Sequence, residues 1–503
     1  MRKLLLFLFA LSSLGSAQEK AVEENYQPAL TIYNQNFFVA RERFSLALKP
    51  GINRVEYAGI AAHLEPDSVI LRDPAGRALQ ILEQNYRNDP ISQELLLSLY
   101  EGKSIAFVIG QNGEKFQTVS GKIVRSGYVS SSTCAPGYPQ PAYSQPIIEV
   151  NGVLRFGLPG LPLFPALTGD SILKPTLNWL LETNNPGKFD AELSYVSGGM
   201  SWQADYNLVL TDQPRGQANG KTDVLDLVGW IIMRNQSGKT FDNARIKLLA
   251  GDVSKIQEGS IANRLYAAKS MAMEVDAAAP VVREKSFDEF HLYTLERPTT
   301  LHDQETKQVE FARATGIRAQ RIYAYDGANL AQQGYYSPDQ VRQDANYGTQ
   351  SNGKVWVMEE FKNSDTNHLG IPLPKGKLRF YRSDTDGHLE FVGENTIDHT
   401  PKDETIRVYT GNAFDVVGER KRTNFHVESN QHWMDESFEI RVRNHKKEAV
   451  NVRVVEHLYR GINWKLADQS QQSRKMDAQT VEFPVSVAAD GEAVVTYTVH
   501  YSW

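Results

Sequence analysis

Apolar and polar residues alternate with a period of two along much of this chain, a pattern that suits half-buried β-strands and no helix. Phe44, Leu46 and Leu48 alternate with Ser45 and Ala47. Phe189, Ala191, Leu193 and Tyr195 repeat the pattern, as do Ala244, Ile246, Leu248 and Ala250. Phe438, Ile440 and Val442 do so against Glu439, Arg441 and Arg443. Val481, Phe483, Val485 and Val487, and then Val495, Tyr497, Val499 and Tyr501, carry it to the end. Turn formers separate these rows: Pro50-Gly51, Asp73-Pro74-Ala75-Gly76, Asn112-Gly113, Asn184-Asn185-Pro186-Gly187 and Asp384-Thr385-Asp386-Gly387. Short strands at this spacing predict a mainly β protein of multi-domain antiparallel β-sandwiches.

Two segments break the period. Leu95, Leu96 and Leu99 recur at helical spacing within 92–100, and Ile261, Leu265, Ala268, Ala272 and Val275 share one helical face. The second predicts a short helical insert over about 255–283. With 503 residues the chain is long enough for two to four domains. The expected organisation is an N-terminal β domain at 24–128, a Pro/Gly-rich linker at 129–165 that includes PGYPQPAYSQP, and a second β region at 166–503. Proline cannot donate to a ladder, which is why the linker is expected to be irregular.

The start of the chain predicts export. Arg2 and Lys3 precede an apolar stretch at 4–14, and Gly15 and Ala17 occupy the positions a signal peptidase inspects, so 1–17 reads as a signal peptide. The expected location is periplasmic or extracellular. The longest later apolar run, 224–233, is too short to span a bilayer as a helix and is interrupted by Asp226. The net charge of −6 is small and its signs are interspersed, which gives no footprint for nucleic acid. Mean hydropathy of −0.42 describes a water-soluble chain. The single cysteine, Cys134, permits no internal disulfide and has no basic neighbour to activate it.

Four stretches carry a resemblance: ELSYVSGGMSWQADYNLVL, GWIIMRNQSGKTFDNARIKLLAGDV, HLYTLERPTTLHDQETKQVEF, and LPKGKLRFYRSDTDGHLEFVGENTIDHTP followed by YTGNAFDVVGERKRT. In this order they resemble a domain-of-unknown-function family that includes mucoidy-inhibitor-like bacterial envelope proteins. The resemblance covers roughly 170–503. It implies a β-sandwich in an extracytoplasmic setting and no established reaction, so no catalytic residue is carried over. The coiled coil common in that family is absent, since no sustained heptads precede 170.

Residues that could carry chemistry are few. Tyr195, Trp202 and Tyr206 could form an aromatic platform for sugars, but packing is the favoured reading of large aromatics. Trp433 is a further binding candidate. His426 and His432 flank an expected hairpin turn beside Glu428 and Trp433, yet two histidines and one carboxylate fall short of a metal site, and no metal or other cofactor is expected. Ser171-Ile172-Leu173-Lys174 matches S-x-x-K without the companion motifs, and Asp384-Thr385-Asp386-Gly387 lacks the remainder of a calcium loop. Asp398-His399 has no nucleophile signature to serve. The terminal row ending at Tyr501 and Trp503 is similar to the last strand of an outer-membrane barrel, although a sandwich strand is the favoured reading.

The expected function is that of an exported, non-catalytic cell-envelope protein that binds a polysaccharide or another envelope protein. The alternatives are a hydrolase with an inter-domain site, in which acids and histidines such as Asp398, His399, His426 and His432 would take part, and an outer-membrane-associated β protein.

Overall fold

The computed structural model describes residues 19–20, 26–112, 115–128, 145–165, 172–211, 222–251, 253–255, 282–287, 290–328, 337–384 and 386–503. Among the described residues the chain is mainly β, with several antiparallel sheets and two short α-helices, as its alternation predicts. The expected signal peptide, Cys134, Ser171 and the body of the helical insert, 256–281, lie outside the described residues. Among the described residues no helix is long and apolar enough to cross a membrane.

The chain divides into two compact units. The first comprises 1–201, 234–247 and 297–305. One of its sheets runs, in order, through Phe241–Ala250, Ala29–Tyr33, Phe37–Leu48, Gly187–Gly198 and Ile70–Arg72. A second is built on Gly51–Ala58, Thr176–Thr183 and Gln80–Arg87. Their inner faces meet: the Phe44 ring lies 4.9 Å from Tyr57 and 6.5 Å from Trp179. One charge is enclosed in this sandwich. Glu42 accepts 2.6 Å hydrogen bonds from the Tyr57 and Tyr195 hydroxyls and from Lys239 Nζ. Burial pushes its carboxyl up, but Lys239 and the two hydroxyls outweigh that and hold it below the usual range.

A smaller sheet in the same unit joins Ser104–Asn112, Lys115–Arg125, Ile147–Val150, Val153–Phe156 and Leu161–Leu163. The helix Gln93–Leu99 covers it through Leu97, which packs in a core with Ile105, Phe107, Ile123, Ile148 and Val150. The Ser92 side chain caps that helix by accepting from the Leu95 amide.

The expected boundaries need three corrections. The segment read as linker, 129–165, forms three paired strands where it is described. Pro162 is accommodated because Leu161–Leu163 is an edge strand, where a missing N–H is tolerated. Thr176–Thr183 and Gly187–Gly198, expected in a second region starting at 166, instead complete the two sheets of the first unit. Alternation shows which face of a strand is buried but not which strand it joins. Residues 282–283, expected in the helical insert, belong to the strand Val282–Phe287.

The second unit comprises 202–233, 248–296 and 306–503. Its C-terminal part packs Trp433–Asn444 and Gly491–Ser502 over Val450–His457 and Thr480–Val487, with Phe438, Phe483 and Tyr497 stacked at its centre. Val495, Tyr497, Val499 and Tyr501 are all buried in this core. The apolar face of the last strand therefore meets protein, as the sandwich reading has it.

Candidate functional site

The rest of the second unit's sheet curls. In order it runs through Leu389–Ile397, Gly376–Ser383, Met200–Thr211, Thr222–Asn235, Glu305–Asp326, Lys354–Lys362 and Thr405–Glu428. The first of these seven strands returns to the last. Asn395 Nδ2 donates to the Tyr409 carbonyl at 3.0 Å, and Gly393 sits so close that an added Cβ would lie 2.1 Å from the Thr410 oxygen. The strands thus close into a small barrel. Bulges in Lys354–Lys362 at Lys354/Trp356 and Val357/Met358 bend the wall beside the opening.

Side chains two apart along these strands line the same face. Leu208 with Leu210, Leu225 with Leu227, Ile317 with Ala319, and Leu378 with Phe380 fill the barrel and are buried. At one end the same rows turn polar: Asp223, Arg321, Glu359 and Arg382 follow directly on the apolar positions. A cavity of about 200 Å³ opens there, lined by Arg321, Glu359, Arg382, Thr410 and Asn412 with Leu210, Val357 and Val392 as its apolar part. It has room for roughly six or seven water molecules at about 30 Å³ each, which is the scale of one small polar molecule.

The charges are tied together. Arg321 and Glu359 are direct cross-strand partners, with Nε to Oε1 at 3.2 Å. Arg321 Nη2 also donates to Asp223 Oδ2 at 2.6 Å, and Arg382 Nη2 lies 3.5 Å from Asp223 Oδ1. Glu359 is only 2% exposed, and its Oε2 has no hydrogen-bond partner. Burial pushes the Glu359 carboxyl up to about 7; Arg321 opposes the rise and the Asp223 carboxylate adds to it. The group therefore passes between donor and acceptor near neutral pH. A buried polar atom without a partner is costly unless something fills the space in front of it.

The residues singled out by sequence lie elsewhere. Trp202 and Tyr206 form no sugar platform. Both are buried, and their polar atoms are already used, Trp202 Nε1 by the Leu249 carbonyl and Tyr206 Oη by the Pro374 carbonyl. Tyr195 is buried around Glu42. Their size makes them core, because each buries a large apolar area. His426 and His432 have separate aromatic neighbours, Trp433 at 5.2 Å and Trp503 at 6.4 Å between ring centres. Trp433 is half-buried and stacks on His500. Among the described residues no group of three or more His, Cys, Asp and Glu side chains is placed to hold a metal ion. Asp398 is exposed beside Lys375, whose amide donates to His399 Nδ1, and neither Asp398 nor His399 lines the cavity.

The three cavity charges, Arg321, Glu359 and Arg382, and the Asp223 that ties the two arginines together are not among the residues that motifs and spacing single out, although each leaves a trace in the sequence. In KVWVMEEFK, Glu359 falls in the inward row between Val357 and Phe361. A lone charge in an otherwise apolar period-two row is the signal. Comparison with known proteins finds no matching family model, no matching curated protein and no matching solved structure.

Proposed function

We propose that this chain is an exported, non-catalytic envelope protein that binds a polysaccharide, seating one sugar unit in the barrel mouth. The reading rests above all on the polar wall of the cavity, where the buried Glu359 carboxyl, bonded by Arg321, stands with Arg382, Thr410 and Asn412. Sugar hydroxyls both donate and accept, and the wall offers both kinds of partner: guanidinium donors, a carboxyl acceptor, the Thr410 hydroxyl and the Asn412 amide. The opposing charges of Arg321, Arg382, Asp223 and Glu359 nearly cancel, which suits a polar ligand of low charge. The basic, apolar and small-residue order near the N-terminus supports the periplasmic or extracellular part of this reading. The resemblance to mucoidy-inhibitor-like envelope proteins points to the same setting.

The test is calorimetric titration of the mature chain with oligosaccharides from isolated envelope fractions. Binding is expected, and Glu359→Leu is expected to weaken it at least about tenfold by removing the acceptor. Equal affinity in the variant would remove the cavity from the account, and release of cleaved sugars would replace binding with hydrolysis.

A further inference from the structure

The first unit carries a charged surface that the cavity does not involve. Along Phe37–Leu48, Phe38, Ala40, Phe44 and Leu46 point inward, so Arg41 and Arg43 point outward. The neighbouring strand Gly187–Gly198 turns Lys188 and Glu192 to the same face, and Ile70–Arg72 adds Arg72. In the strand Phe241–Ala250, buried Ala244 and Ile246 alternate with exposed Arg245 and Lys247. Six basic side chains thus share one sheet face with the carboxylates of Asp190, Glu192 and Asp242.

Glu192 sets the arrangement. It lies directly opposite Arg43 on one side and Arg72 on the other. Its carboxylate takes Arg72 at 2.5 Å, Arg43 at 3.3 Å and Arg41 at 3.8 Å. One negative charge therefore orders three guanidinium groups and leaves two positive charges uncompensated. The three arginine side chains remain 50–61% exposed, so their remaining N–H groups face solvent.

We infer that this sheet face is a docking surface for an acidic polysaccharide chain, recognised by the arginines ordered around Glu192. The face is basic although the whole chain carries −6. From Phe241–Ala250 to Ile70–Arg72 it crosses four strand spacings of about 4.8 Å, or about 19 Å, which a polymer spans and a single small anion does not. A membrane surface is the less suitable occupant. Interfacial binding needs apolar side chains to insert, and Ile70 is the only large hydrophobic exposed at these outward positions among the described residues. Carboxylates regularly spaced along a sugar chain match the guanidinium geometry and need no insertion. The surface is separate from the cavity, so either can fail without the other.

The experiment is affinity electrophoresis of the mature chain through a soluble polyuronate, beside the same polymer with its carboxyls reduced to alcohols. Retardation is expected on the polyuronate alone, fading as salt rises through the physiological range, where the screening length is about 8 Å. The triple variant Arg41→Gln, Arg245→Gln, Lys247→Gln is expected to bind about tenfold more weakly, since each exposed ion pair contributes modestly. It leaves Arg43 and Arg72 on Glu192, and an unchanged melting temperature confirms the fold. The double variant Arg43→Gln, Glu192→Gln removes an acid with a base and is expected to weaken binding as well. Equal retardation by the reduced polymer, undiminished binding in both surface variants, or tighter binding to anionic vesicles or duplex DNA would overturn the inference.

Discussion

Glu359 shows what one misplaced charge does in an apolar row. Its neighbours along the inward face, Val357 and Phe361, call for a hydrocarbon, and Arg321 across the ladder supplies the compensating cation that bonds it. With its carboxyl raised from an ordinary 4.5 to about 7, the folded chain keeps a proton that the unfolded chain sheds. Stability is then fully present below about pH 4.5 and declines as pH climbs through 7, by roughly 3 kcal/mol at most. Glu359→Gln is expected to flatten that decline, so that urea midpoints measured at pH 5 and pH 8 differ less than in the parent chain. Superimposable pH curves for the two proteins would show that Glu359 does not titrate in this window.

At the scale of elements, the helix Pro338–Gln343 and the turn after it are held by two arginines from beneath. Arg460 donates to the carbonyls of Val341, Asp344 and Tyr347 while pairing with Glu436 at 2.7 Å. Arg420 donates to the Gly348 carbonyl and pairs with Glu456 at 3.0 Å, where Tyr497 also donates. All four charged side chains are almost entirely buried. Removing one partner strands the other in a medium that solvates it poorly. Arg420→Met is accordingly expected to cost roughly 3–5 kcal/mol, and Arg420→Met with Glu456→Leu is expected to recover most of that loss. Chemical denaturation of the three proteins decides the matter; a single variant as stable as the parent would contradict it. The helix Gln93–Leu99 depends on different forces, the Ser92 cap and the burial of Leu97, and these are legible from spacing alone.

Over the whole molecule, protection depends on where a strand lies in its sheet. Gly491–Ser502 is paired with Trp433–Asn444 along one edge and with Trp464–Gln469 along the other, and its apolar face is buried. Val153–Phe156 is an edge strand whose four side chains are all exposed. Native-state hydrogen exchange is expected to place the amides of 495–499 among the slowest in the chain and those of 153–156 among the fast. Rapid exchange in the terminal strand would mean that its ladder opens independently of the core.

Which face of a strand is buried is a local property, and the amino-acid order alone reveals it: the rows at 44–48, 189–195, 438–442 and 495–501 are buried as their alternation requires. Turn chemistry is equally local, as at Gly387, whose φ of 85° favours glycine. Strand partners are not local, because any alternating row can pair with any other. That is why 187–198 reads as part of one region and belongs to another, and why 147–163 reads as linker and forms strands. The cavity lies at the far end of the same limitation. Asp223, Arg321 and Glu359 are separated by 98 and 38 positions, and only the pairing of their strands in one sheet turns these isolated inward charges into one site. Periodicity records how a residue meets its own strand; tertiary structure alone decides which distant charges must share a space that excludes water.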